Sequence, residues 1–254
     1  MKKLFFFLFV LSSTIFVAQN SAKKIFENAN NLYKEGKFNE AIIGYKKIEA
    51  KDSISAALYY NLGNSYYKLN DVATSIYYYE KTLLMDPLHK DAANNLAFAK
   101  RMTIDTIEAL PKTFLQRLEN KYLQKLSYNE WAKLSVVFSV LGALLFLLFY
   151  STDISKKKRI YFLSSVVSFL LLIVAVGITY HQHQKANNTE YAIIFSPKVN
   201  VNNAPTLNSE TVFELHEGTK VTVLDNVDNW RKIKLADGKT GWIALENLKM
   251  LTDK

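Results

Sequence analysis

Two long runs without a charged residue, Leu134–Tyr150 and Ile160–Tyr180, constrain this chain more than any other feature of its sequence. A helix needs about 20 apolar residues to cross the hydrocarbon of a bilayer; the second run meets that length and the first lies near the lower limit. Neither run has the polar face that a helix on a soluble core presents. Trp131 and Tyr150 bracket the first run, and Tyr161 and Tyr180 the second, as aromatic rings do at membrane interfaces. The sequence therefore predicts transmembrane helices over 132–150 and 160–180. In the loop between them, 151–159, Lys156-Lys157-Lys158-Arg159 face a lone Asp153. Short loops rich in Lys and Arg stay in the cytoplasm, so both flanking segments are expected in the periplasm, outside a bacterial inner membrane.

The amino terminus points the same way. Lys2 and Lys3 precede the apolar stretches Leu4–Leu11 and Ile15–Ala18, the order of a secretory signal assigned to 1–18, with an uncleaved anchor as the alternative. The chain has no cysteine, which excludes disulfides and thiolate metal sites. Its net charge of +9 is dispersed, with its densest run in the short loop. No stripe alternates aromatic and basic residues, so no nucleic-acid partner is expected.

Self-comparison reveals a period of 34 residues: Leu32, Gly36, Phe38, Ala41 and Tyr45 recur as Tyr66, Asn70, Val72, Ser75 and Tyr79, and Leu62-Gly63 recurs as Leu96-Ala97. The pattern Leu62-Gly63, Tyr66, Tyr79 and Pro87 resembles the tetratricopeptide repeat, which implies two antiparallel helices per repeat. Asn70 stands where glycine is usual in that family, and Ile48 and Thr82 where alanine is. Two repeats cover about 22–88, and a half repeat from Asp91 is read as a cap, giving a repeat domain at 22–103. After Pro111, Phe114, Leu118, Tyr122 and Leu126 recur at a spacing of four, predicting an amphipathic interfacial helix over 112–128.

Beyond a polar linker, His181–Glu190, the periodicity changes to short alternating strands such as Val221–Val223 and Ile233–Leu235, with a hairpin signal at Asp237-Gly238. Val199-Asn200-Val201, Pro205, Gly218-Thr219, Trp230, Gly238 and Gly241-Trp242 resemble the bacterial SH3-like domain, assigned to 190–254. Asn202 stands where that family commonly has arginine. Trp230 and Trp242 are expected in the barrel core. The predicted fold class is thus multidomain: an all-α tetratricopeptide solenoid, two transmembrane helices and a small all-β SH3-like barrel.

Enzymatic chemistry fails on inventory. Cys-His catalysis is excluded, and the four histidines are scattered, with His181 and His183 on different faces of any helix. Gly238-Lys239-Thr240 lacks the first glycine of a phosphate loop, Ile233 occupying its place. No cofactor, metal or catalytic residue is expected, and the protein is not expected to be an enzyme. Binding is the remaining role. Tetratricopeptide arrays bind extended peptides along a face lined by their first helices, and this resemblance selects Phe26, Asn30, Tyr33 and Lys34, then Tyr60, Asn61, Asn64, Tyr67 and Lys68, then Asn94, Phe98 and Arg101. Lys34, Lys68 and Arg101 would attract an acidic segment or terminal carboxylate. Asn30 and Asn61 match two positions of the family's carboxylate clamp, while Phe26 and Asp91 stand where the clamp has lysines. Asn64, Lys68 and Arg101 are expected to be replaceable without loss of folding.

The order of segments resembles the BatE-like proteins of the Bacteroides aerotolerance family. That resemblance implies protein partners among membrane-anchored von Willebrand factor A proteins and a MoxR-type ATPase system, in an aerotolerance or envelope-stress complex. The alternative reading is an envelope sensor or anchor that binds peptidoglycan through the SH3-like domain.

Overall fold

The computed structural model describes residues 22–252, so the signal expected at 1–18 lies outside the described residues. The chain forms two compact units: one combines the segments before Leu110 and after Thr189, and the other is Leu110–Thr189.

In the first unit, helix hairpins come first: α1 (22–34) with α2 (Phe38–Glu49), then α3 (Ala56–Lys68) with α4 (Val72–Met85), then a single α5 (Lys90–Lys100). Side chains start three of these helices, Ser55 Oγ accepting from Leu58 N, Asp71 Oδ1 from Thr74 N and His89 Nδ1 from Ala92 N. The turns inside the two hairpins require a left-handed residue, supplied by Gly36 at φ 78° and one period later by Asn70 at φ 61°. Asparagine tolerates that conformation better than most residues, which explains the departure from glycine. Within the second hairpin the helices meet where Gly63 lies under the ring of fully buried Tyr79. Thr82, at an alanine position, is also fully buried, and its hydroxyl donates to the Tyr78 carbonyl one turn back, 2.9 Å away.

Seven strands follow: β1 (Glu190–Ile194), β2 (Lys198–Asn202), β3 (Thr211–His216), β4 (Lys220–Val227), β5 (Trp230–Lys234), β6 (Thr240–Ala244) and β7 (Leu248–Met250). They pair antiparallel in the order β3-β2-β6-β5-β4-β1-β7 around a core that includes Val201, Leu215, Val221, Ile233 and Ile243. That core is aliphatic. Trp230 and Trp242 are only half-buried, which corrects the expectation that they fill it. Small branched residues at alternate strand positions fill so narrow a barrel, leaving the indoles on its surface. Buried Asn202 replaces the expected arginine and donates to the Thr206 carbonyl at 3.2 Å, tying down the following loop.

β1 is buried on both faces. Side chains of a strand alternate, and here Ala192 and Ile194 enter the barrel core while Ile193 enters the apolar cluster of the repeats. The half repeat therefore does not end the array alone, as the sequence reading expected. A single α5 leaves the outer face of α4 uncovered, and the strand lies against it.

The second unit holds α6 (Phe114–Tyr122), α7 (Tyr128–Ser151) and α8 (Ser155–Asn188), of which α7 and α8 are long and apolar enough to cross a membrane. α7 and α8 run antiparallel: Ser168 Oγ donates to the Phe138 carbonyl at 2.8 Å and Ser165 Oγ to the Gly142 carbonyl at 3.0 Å, so contacts that advance along one helix retreat along the other. Serine hydroxyls bonded across a close helix pair are a common device in lipid. Three sequence boundaries are corrected here. The 151–159 loop shrinks to 152–154, with Lys156–Arg159 in the first turns of α8, because lysine and arginine are good helix formers and nothing there breaks the helix. The 181–190 linker is helical to Asn188. The 112–128 helix is shorter, starting at a capping box of Thr113 and Gln116 and tightening after Tyr122 into a 3₁₀ turn. That turn presents the Leu123 carbonyl to Trp131 Nε1 at 3.0 Å and Gln182 Nε2 at 2.8 Å. Phe114, Leu115, Leu118 and Tyr122 of α6 are exposed.

Candidate functional site

The first helices of the repeats, α1, α3 and α5, carry eleven of the twelve residues selected for the groove, with Arg101 just past the end of α5, and the structure divides the twelve into three groups. Phe26, Tyr33, Tyr60 and Tyr67 are half-buried and pack against the apolar cluster of the repeats. Lys34, Lys68, Asn94, Phe98 and Arg101 are exposed, with the Arg101 guanidinium over the Phe98 ring at 5.2 Å.

Asn30, Asn61 and Asn64 form the third group, and they are engaged internally. Asn30 Oδ1 accepts from Tyr45 Oη at 2.7 Å and from Asn61 Nδ2 at 2.9 Å. One period later, Asn64 Oδ1 accepts from Tyr79 Oη and from Asn95 Nδ2, both at 2.8 Å. An amide oxygen has two lone pairs, so each carbonyl is fully used. The motif ties a tyrosine of the second helix and an asparagine of the next repeat to one oxygen, and it recurs because the sequence does. Burial pushes the Tyr45 hydroxyl up to about 12 and raises that of Tyr79 as well, which keeps both as donors at physiological pH.

Two corrections follow. Asn30 and Asn61, which match clamp positions in sequence, are spent on each other. Asn64 is not a freely replaceable groove residue, since removing its oxygen would leave a buried tyrosine hydroxyl without an acceptor. Sequence reasoning also missed Asn95. It stands 34 residues after Asn61, so strict extension of the period would have found it. The selected residues accordingly divide into an exposed cationic and aromatic rim, Lys34, Lys68, Phe98 and Arg101, and an internally hydrogen-bonded set of asparagines.

A second concavity lies on the barrel, where Leu207, Asn229, Trp230, Ala244, Leu245 and Glu246 line an open cleft of about 470 Å³. Leu207 is 87% exposed and Trp230 half-buried, an arrangement that offers apolar and aromatic surface to a ligand. Among the described residues no three His, Cys, Asp or Glu side chains come together as metal ligands. His216, without an evident partner in sequence, donates its backbone N–H to Asp105 at 2.7 Å and places Nδ1 2.8 Å from the same carboxylate.

A search of the curated proteins finds no match to the chain. Two segments match family descriptions: residues 56–89 match the tetratricopeptide repeat, and residues 197–249 match the bacterial SH3 domain. The chain thus carries a module of the class that mediates protein–protein interaction, followed by one of the class that includes peptidoglycan binders, with the two apolar helices between them.

Proposed function

We propose that the protein is an inner-membrane-anchored, non-enzymatic scaffold that binds protein partners through the rim of its repeat groove, with both soluble modules in the periplasm. One observation carries the topology. The segments before and after the α7–α8 pair belong to one compact unit, with Lys220 bonded to Glu80 at 2.6 Å. Segments in direct contact lie on one side of a membrane, as a two-helix hairpin requires. The basic run at the start of α8 supports a cytoplasmic turn. The order of segments supports a place beside the BatE-like aerotolerance proteins, with von Willebrand factor A membrane proteins and a MoxR-type ATPase system as the partners to test.

The cysteine-free sequence gives a clean topological experiment. In spheroplasts, Lys51→Cys and Leu207→Cys should react with a membrane-impermeant maleimide, and Asp153→Cys should react only after permeabilisation. Labelling of Asp153→Cys in intact spheroplasts would overturn the orientation.

The Trp230 cleft supports a second reading, in which the barrel anchors the protein to peptidoglycan. Full-length protein in detergent is the sample for sedimentation with purified sacculi. Under the scaffold reading it stays in the supernatant. Sedimentation that Trp230→Ala removes would establish the anchor instead.

A further inference from the structure

Ala73, Ile76, Tyr77 and Glu80 form one face of α4, and all four are buried although no further repeat follows α5. In a longer array that face would receive the second helix of the next repeat. Here the barrel takes its place. A methyl group added at Gly218 would stand 3.2 Å from Ile76 Cδ1. Tyr77 meets Phe195 edge-on with ring centroids 5.8 Å apart, and Lys249 Nζ lies over the Tyr77 ring at 4.5 Å. Ile193 and Leu251 of the barrel segment belong to the same apolar cluster as Leu62 and Tyr79 of the repeats.

Two polar fastenings fix the register of this contact. Glu80, with only 6% of its side chain exposed, is held between Lys220 at 2.6 Å and Lys100 at 2.8 Å. Burial alone would raise its carboxyl, but the Lys220 and Lys100 ammonium groups outweigh burial and hold it below the usual range. In the segment that leaves α5, Asp105 accepts from His216 N at 2.7 Å and Thr219 Oγ1 at 2.6 Å, and Ile107 packs on the barrel core. A buried carboxylate needs its cation, because an uncompensated charge at such a site is strongly destabilising. Undocking the barrel would take Lys220 and the covering surface away and leave Glu80 with Lys100 alone.

We propose that the barrel is the C-terminal cap of the repeat array, so that repeats and barrel fold and unfold as one unit. Its β1–β7 side is then committed to α4 and not offered to an outside partner. This inference goes beyond the scaffold reading, since it holds whatever the groove binds.

The test uses full-length protein in detergent with one buried thiol as a probe, Ser65→Cys in the repeats or Val221→Cys in the barrel. Pulsed alkylation along a urea gradient reads the unfolding of each module. The two midpoints should coincide. Glu80→Lys should lower both by about 1 M urea, Lys220→Glu should do the same, and the combined charge exchange should restore most of the loss. Separate midpoints in the parent protein would overturn the proposal. So would a Glu80→Lys variant that leaves the barrel midpoint unchanged, or a combined exchange no better than the single changes.

Discussion

Gly63→Leu is expected to lower the stability of the repeat array by about 1 to 3 kcal/mol. The cause is local and visible. A Cβ at this position would stand 2.7 Å from both Cδ1 and Cε1 of the Tyr79 ring, far inside van der Waals contact. Tyr79 has nowhere to retreat: it is fully buried, and its hydroxyl is bonded to Asn64 Oδ1 at 2.8 Å. Moving the ring would break that bond, one of two held by the oxygen that also accepts from Asn95 of α5. Overpacking therefore propagates along the hydrogen-bonded ladder and does not stay at one helix crossing. Urea unfolding followed by the Ser65→Cys thiol measures the loss. A midpoint equal to that of the parent would mean that the α3–α4 crossing is not where the structure puts it.

The second large effect is on binding. Lys34→Ala, Lys68→Ala and Arg101→Ala in combination are expected to abolish affinity capture from membranes of whatever protein the proposed groove rim binds, while the unfolding free energy stays within about 0.5 kcal/mol of the parent. These three side chains are exposed, so truncating them removes little packing. Loss of a few interface residues can remove 2 kcal/mol or more each, about thirtyfold in affinity. Asn64→Ala serves as the contrasting variant. It should destabilise the array by about 1 to 3 kcal/mol, because the Tyr79 hydroxyl loses its acceptor and the Asn95 amide keeps only the Tyr60 hydroxyl. Retained capture by the triple variant would move the proposed binding surface away from the groove rim and leave the proposed scaffold without an assigned site.

The period of 34 was legible because two repeats of one supersecondary unit must solve the same packing problem, and the small, aromatic and left-handed positions recur with it. Apolar blocks were legible for a similar reason: a bilayer demands length and absence of charge, both properties of composition. The roles of the asparagines were not. Seen in one dimension, Asn30, Asn61 and Asn64 are polar residues on the ligand-facing side of a helix. Only folding brings Tyr45 and Tyr79 within reach and converts them from ligand donors into the floor of the groove.

Sequence alone determined which kinds of element form and their order, though not all their ends, since helix periodicity, strand alternation, turn residues and apolar length are local properties. Tertiary structure decided what covers each element's outer face. The continuous apolar run Tyr191–Phe195 says that a strand is buried on both sides, but not that the second side is α4. Glu80 and Lys220 are 140 residues apart, on opposite sides of the two apolar helices, and neither has a local pattern that names the other. A buried pair of that separation exists only because the α7–α8 hairpin returns the chain to where it left, a consequence of geometry that no window of sequence contains.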